Sequence, residues 1–486
     1  MEAKHNRGVL SNLLWKFCER ILAQLVTTIV SIILARILLP SDYGIISIVT
    51  IFITIANVFV SDGIGTSLVQ KKNADSLDYT TLLIFNVGLS TLLYLLVFFT
   101  APIIADFYGE GYEIIVPVLR VLGIKIILTG VNSIQTAYIS KHLLFKKYFW
   151  STLAGTITSA IVGITMAYTG FGVWALVWQY LTNSLIGIIV LLFIIKRFPI
   201  PKFSFSRLKK LLGFGSKILA TNLIGTLFTQ LRALIIGKKY TSSDLAYFDR
   251  GVQFPSLLVI NINTSITEVM FPRMTLEQDN TKNIKSMMKK TICFSSYVLY
   301  PLLLGLAAVA PVFVSLILTD VWLPCVPILQ LLCVYYLFWP VQTLNMQVLK
   351  ALGEGTKYLT NGFIKTAVDL LILLTTYRFG VICIAAGMVA SSLIAVLINA
   401  WPNKKLIDYS AGEQLKDLLP NMINSLIMAI AVYSIGLINL NDIVLLPIQI
   451  LAGIAIYLIL SVLSRRSEFT TILDLVKSKL RKNSAQ

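Results

Sequence analysis

The stretch LLWKFCERILAQLVTTIVSIILARILL, residues 13–39, is long enough to cross a bilayer yet carries charge near its start, at Lys16, Glu19 and Arg20. A membrane span needs about 20 mostly apolar residues. Wound as a helix, Asn12, Lys16, Arg20, Gln24, Thr27 and Ser31 recur every three or four residues and form one polar stripe on an otherwise apolar rod. A charge at the bilayer centre costs at least ~2.5 kcal/mol on insertion scales, so such a stripe turns toward a protein interior or a wet cavity rather than toward lipid. The expectation is a helix lining a cationic, water-filled chamber inside a larger bundle.

The composition of the 486 residues agrees with a membrane interior. Apolar residues make up 56% of the chain and charged residues 13%, and the mean hydropathy is +0.80, which excludes an ordinary soluble domain and a disordered chain. A net charge of +18 would point to nucleic acid in a soluble protein. Here it follows from Lys and Arg retained in cytoplasmic loops, and no nucleic-acid partner is expected. Cys18, Cys293, Cys325, Cys333 and Cys383 show no paired spacing, so neither a disulfide framework nor a metal site is indicated. The first apolar run is too long and too charged for a cleavable signal peptide.

Breaks at charges, Gly and Pro divide the sequence into fourteen candidate spans, 12–35, 43–69, 79–104, 114–138, 148–168, 171–195, 211–236, 245–270, 291–318, 325–349, 358–377, 380–401, 418–438 and 443–464. With the N-terminus inside, 29 of the 41 Lys and Arg fall in cytoplasmic segments, 8 within spans, and only Arg36, Lys238, Lys239 and Arg378 outside. That asymmetry places both termini in the cytoplasm.

The spans repeat. FCERILA at 17–23 returns as FGSKILA at 214–220, with Lys217 in the place of Arg20. VPVLRVL at 116–122 returns as VPILQLL at 326–332, and the Ala101–Pro102 pair returns as Ala310–Pro311. Offsets that stay near 200–210 residues across six spans imply two parallel six-span halves related by an axis along the membrane normal. The expected fold is therefore all-α and integral to the membrane, with about 14 transmembrane helices. Two six-helix lobes in parallel pseudo-twofold repeat surround a central cavity, and two further C-terminal helices follow. The expected divisions are an N-lobe over 1–196, a cytoplasmic linker over 197–207, a C-lobe over 208–405, the last two spans within 406–464, and a basic amphipathic tail over 465–486.

Candidate cavity residues are the basic and polar side chains at membrane depth: Arg20, Lys217, Arg250, Lys16, Gln24, Arg120, Lys125, Arg232 and Lys365. Guanidinium and ammonium groups in a low-dielectric chamber hold anions strongly. Several of these could instead be paired charges that fix helix register, since Lys365 and Asp369 are spaced i, i+4 and Arg250 adjoins Asp249. Asp62, Glu268 and Asp369 are candidates for proton or cation coupling. No catalytic constellation and no phosphate-cradling loop is present in the sequence, so no enzyme activity and no cofactor are expected, and energy would come from a proton or sodium gradient.

The motifs WKFCERILAQ (15–24), ARILLPSDYG (35–44), DGIGTSLVQKK (62–72) and APIIADFY (101–108) resemble those of the polysaccharide-export flippases of the multidrug/oligosaccharidyl-lipid/polysaccharide superfamily, in the branch that handles colanic acid, teichuronic acid and related repeats. The resemblance implies translocation of an undecaprenyl-pyrophosphate-linked oligosaccharide from the inner to the outer leaflet of a bacterial cytoplasmic membrane by alternating access. Its implied partners are that lipid-linked oligosaccharide and membrane lipids, with downstream polymerase or export machinery a further candidate. A multidrug or toxin cation antiporter of the same superfamily, and a membrane glycan polymerase or ligase, are the alternatives. The first would favour acidic sites, and the second would need a large outer loop.

Overall fold

The computed structural model describes residues 22–61, 67–68, 70–71, 74–195, 202–438, 440–466, 468–470 and 474, with the side chains of 210–218 and 220 left aside. The described residues are almost entirely helical, with no strand among them. In chain order the helices are α1 Leu22–Ile37, α2 Pro40–Ser61, α3 Ser76–Tyr108, α4 Ile115–Leu122, α5 Ile124–Lys141, α6 Phe145–Tyr168, α7 Val173–Ile195 and α8 Phe205–Lys239. They continue as α9 Ser242–Leu276, α10 Thr281–Ile317, α11 Val326–Leu337, α12 Trp339–Ala351, α13 Gly355–Thr376, α14 Val381–Leu406, α15 Ala411–Ile435 and α16 Asp442–Leu463.

Among the described residues helix lies under each of the fourteen expected spans, and twelve helical segments there are long and apolar enough to cross a membrane. The fourth is α4 and α5 end to end, and the tenth joins α11 and α12 to the 3-10 helix Asp320–Cys325 that precedes them. The expected spans outside those twelve are the first and the seventh, each of which is described only in part. The first is described only from Leu22 as a short apolar helix. The seventh lies in α8, a helix of 35 residues in which the side chains of 210–218 and 220 are outside the described set. They are the two helices that open the repeated halves. The outward-facing residues of the other helices are large and apolar, as lipid requires: Phe99, Ile103, Phe193 and Trp401 are all more than two-thirds exposed.

The chain divides into two compact units, 1–246 and 247–486. The repeat puts α8 at the head of the second half, yet α8 packs on α2 and α3 of the first unit. Gly237 permits this, because a Cβ there would meet Tyr108 and Ile48 side chains at 3.1 and 3.2 Å. At the start of α2 the approach is closer still. A Cβ on Gly44 would lie 1.9 Å from the Ser242 carbonyl oxygen, so no side chain fits.

Small residues bring α6 and α7 together. Ser151, Gly155, Ser159 and Gly163 follow one another at intervals of four and so share one face of α6. Ser151 Oγ donates to the Gly187 carbonyl at 2.7 Å and Asn183 Nδ2 to Ser159 Oγ at 3.3 Å. Elsewhere in this unit the fully buried Asn86 on α3 donates to the Val60 carbonyl, the Gly130 carbonyl and Ser133 Oγ, tying α2, α3 and α5.

In the second unit the last two helices pack on α10 through polar links. Asn421 Nδ2 donates to Ser296 Oγ at 2.8 Å, Tyr297 to Ser461 Oγ at 3.1 Å, and Tyr457 to the Tyr297 carbonyl at 2.8 Å. A second knot joins α12, α14 and α15, where Asn345, Asn403 and Gln414 exchange amide hydrogen bonds of 2.7–3.1 Å with no exposed surface. In hydrocarbon each such group left unmade costs several kcal/mol, so these amides hold helices in register.

Candidate substrate-binding residues

Lys16, Arg20 and Asp62 lie outside the described residues, as does the side chain of Lys217. The remaining candidates sit as follows. In the first unit Gln24 is half-buried on α1 and Arg232 half-buried on α8. Lys125, at the start of α5, places its ammonium 4.9 Å from the centroid of the Tyr180 ring. Arg120, on α4, lies 4.5 Å over the Phe98 ring and donates from Nε to the Phe98 carbonyl at 3.3 Å. Aromatic faces attract both cations at some cost in freedom and none in charge.

In the second unit Arg250 is 4% exposed. Its guanidinium donates to Gln253 Oε1 at 2.5 Å and stands 5.2 Å from the Trp322 ring, and the neighbouring Gly251 packs directly on Ile328. Of the described cations proposed for substrate it is the most enclosed. Lys365 is half-buried one turn before Asp369, and Asp369 accepts a hydrogen bond from Ser391 Oγ at 2.9 Å across to α14. Glu268 is exposed on α9.

The strongest electrostatic cluster of the first unit was not singled out by the sequence reading. Asp75 caps α3 by accepting from the Asp78 amide, and Asp78 returns the bond to the Asp75 amide, a reciprocal cap. Asp78 has no exposed surface and holds Lys71 Nζ at 2.6 Å and Arg207 at 3.2 Å. Arg207 also reaches Asp75 at 2.5 Å, and this bond holds the Asp75 carboxyl down to a pKa of about 2. Lys141 donates to the carbonyls of Leu68 and Lys71. The acids of the cap are legible as D-x-x-D ahead of an apolar run, whereas Arg207 arrives from 129 residues away. Among the described residues no cluster of three or more His, Cys, Asp or Glu is placed to hold a metal ion.

Apolar helices of spanning length, small-residue seams, buried amide knots and basic side chains seated among aromatics at membrane depth define a polytopic membrane protein. Residues 33–327 match the family described as polysaccharide biosynthesis protein, and the chain belongs to that family. It is 27% identical over 310 residues to the lipopolysaccharide biosynthesis protein WzxC of Escherichia coli (strain K12), covering 62% of this chain and 61% of that one. The teichuronic acid biosynthesis protein TuaB of Bacillus subtilis (strain 168) is 22% identical over 420 residues, covering 84% and 85% of the two chains. Among solved structures, the lipid II flippase MurJ in an inward closed conformation superposes with a TM-score of 0.72 at 18% identity, covering 92% of this chain and 99% of that one. That likeness is one of fold. The motif resemblance carried by residues 15–108 agrees with the family.

Proposed function

We propose that this protein is a flippase that carries an undecaprenyl-pyrophosphate-linked oligosaccharide from the inner to the outer leaflet of a bacterial cytoplasmic membrane by alternating access. The observation that carries the reading is membership of a polysaccharide biosynthesis family by a chain whose fold superposes on that of a lipid II flippase. The physics supports it. A pyrophosphate bearing sugars cannot cross hydrocarbon unaided, and the sequence carries 8 basic residues within its expected spans against the acids Glu19, Asp62, Asp249, Glu268 and Asp369. An excess of cations suits an anionic head group better than the organic cations of a multidrug antiporter. Arg20, Lys217 and Arg250, with Lys125, Arg232 and Lys365, would provide the positive field, and the polyprenyl tail would stay in lipid. The Lys and Arg asymmetry puts both termini in the cytoplasm.

A proton or sodium gradient would drive the cycle, with Asp369 and its Ser391 partner the best-placed described acid. The test is genetic and chemical. Deleting the gene while leaving the glycosyltransferases intact should abolish the surface glycan and accumulate its lipid-linked precursor on the cytoplasmic face, and the intact chain should restore export. Surface glycan at wild-type level in the deletion strain, with no redundant transporter, would overturn the proposal.

A further inference from the structure

Pro102 lies inside α3 and Pro311 inside α10. Proline has no N–H, so each leaves the carbonyl four residues before it without its α-helical donor. Those carbonyls are Phe98 and Ala307. A side chain from the following helix meets each one: Arg120 Nε donates to the Phe98 carbonyl at 3.3 Å, and Gln330 Nε2 to the Ala307 carbonyl at 3.0 Å. The two donors are repeat mates, at the same place in VPVLRVL and VPILQLL, and so are the two prolines. The device recurs in the second unit outside the repeat. Tyr457 donates to the Tyr297 carbonyl that Pro301 leaves open, and Asn361 Nδ2 donates at 3.1 Å to the Ile398 carbonyl that Pro402 leaves open.

We infer that Arg120 and Gln330 do one job in the two halves: each replaces the hydrogen bond its proline removes, and so holds a bend in α3 and in α10 that neighbouring helices are shaped to meet. Arg120 then acts through its N–H and its packing on Phe98, and its charge is dispensable. The sequence places Arg120 among the cations for an anionic substrate; the geometry makes it a positioning residue. A bend fixed by one side-chain bond instead of a continuous backbone ladder is also a joint that opens by breaking a single contact.

A double-mutant cycle on the full-length protein in lipid-detergent micelles tests this without any transport measurement. Arg120→Leu should lower the folded-to-unfolded ratio by roughly 5- to 100-fold, the scale for stranding one buried carbonyl. Arg120→Gln should recover most of that loss. In a Pro102→Ala background, where the backbone again supplies the donor, Arg120→Leu should change the ratio by less than about threefold. Gln330→Leu should couple to Pro311→Ala in the same way. Losses that simply add across the cycle, or an Arg120→Gln variant as impaired as Arg120→Leu, would overturn the inference. Glycan export read on a stably folded Arg120→Gln variant separates the remaining case: retained export supports a dispensable charge, and lost export assigns the guanidinium to substrate and refutes it. Failure of the flippase proposal itself leaves the stability cycle unaffected.

Discussion

Asp78 bears a negative charge with no exposed surface, and it is tolerable there only because Lys71 and Arg207 flank it and it shares the α3 cap with Asp75. Removing the carboxylate would take one partner from each of two partly exposed cations and open a helix terminus. Asp78→Ala should therefore cost about 1–3 kcal/mol, the scale of a lost cap and lost charge-assisted hydrogen bonds, read as a drop in thermal unfolding temperature of the purified protein. Arg207→Ala should cost less, because that side chain is about one-third exposed and Lys71 remains. At this scale the sequence was only half informative. The capping acids carry a local signature, but Arg207 lies far along the chain, and nothing in spacing alone predicts that pairing. Arg250 shows the same gap: its place at membrane depth was visible, while the Trp322 ring and Gln253 amide that enclose it come from the folded unit.

Hydropathy was enough to locate the helices, since the described part of each of the fourteen apolar stretches lies on one. It could not show where a span breaks in two. The division between α4 and α5 falls at Gly123, and that between α11 and α12 at Phe338, both inside continuous apolar runs. Nor could it assign α8, whose repeat signature belongs to the second half while its Gly237 seats it against the first unit. The seam between α6 and α7 gives the sharpest prediction for a helix pair. A Cβ on Gly155 would stand 2.8 Å from the Asn183 carbonyl oxygen, so Gly155→Val forces the helices apart. The expected cost is about 1–3 kcal/mol from overpacking, measured by chemical or thermal unfolding, with Gly88→Val as a control because a Cβ there meets nothing within 4 Å.

For the whole molecule, the internal repeat matters most. The repeat mates Arg120 and Gln330 each donate to the carbonyl left open by a matched proline, so at these positions the sequence repeat has a structural counterpart within each unit. The same symmetry draws attention to Arg20 and Lys217, the matched basic residues that open the two halves. If an anionic head group is what this membrane interior serves, the most direct measurement uses purified protein in liposomes carrying a fluorescent polyprenyl-pyrophosphate oligosaccharide. A membrane-impermeant reagent that destroys exposed label should then report movement between leaflets. The account predicts label exchange that depends on the protein and falls at least tenfold in an Arg20→Gln, Lys217→Gln double variant of wild-type stability. Undiminished exchange in that variant, or a wild-type protein that moves organic cations but not the lipid-linked glycan, would contradict it.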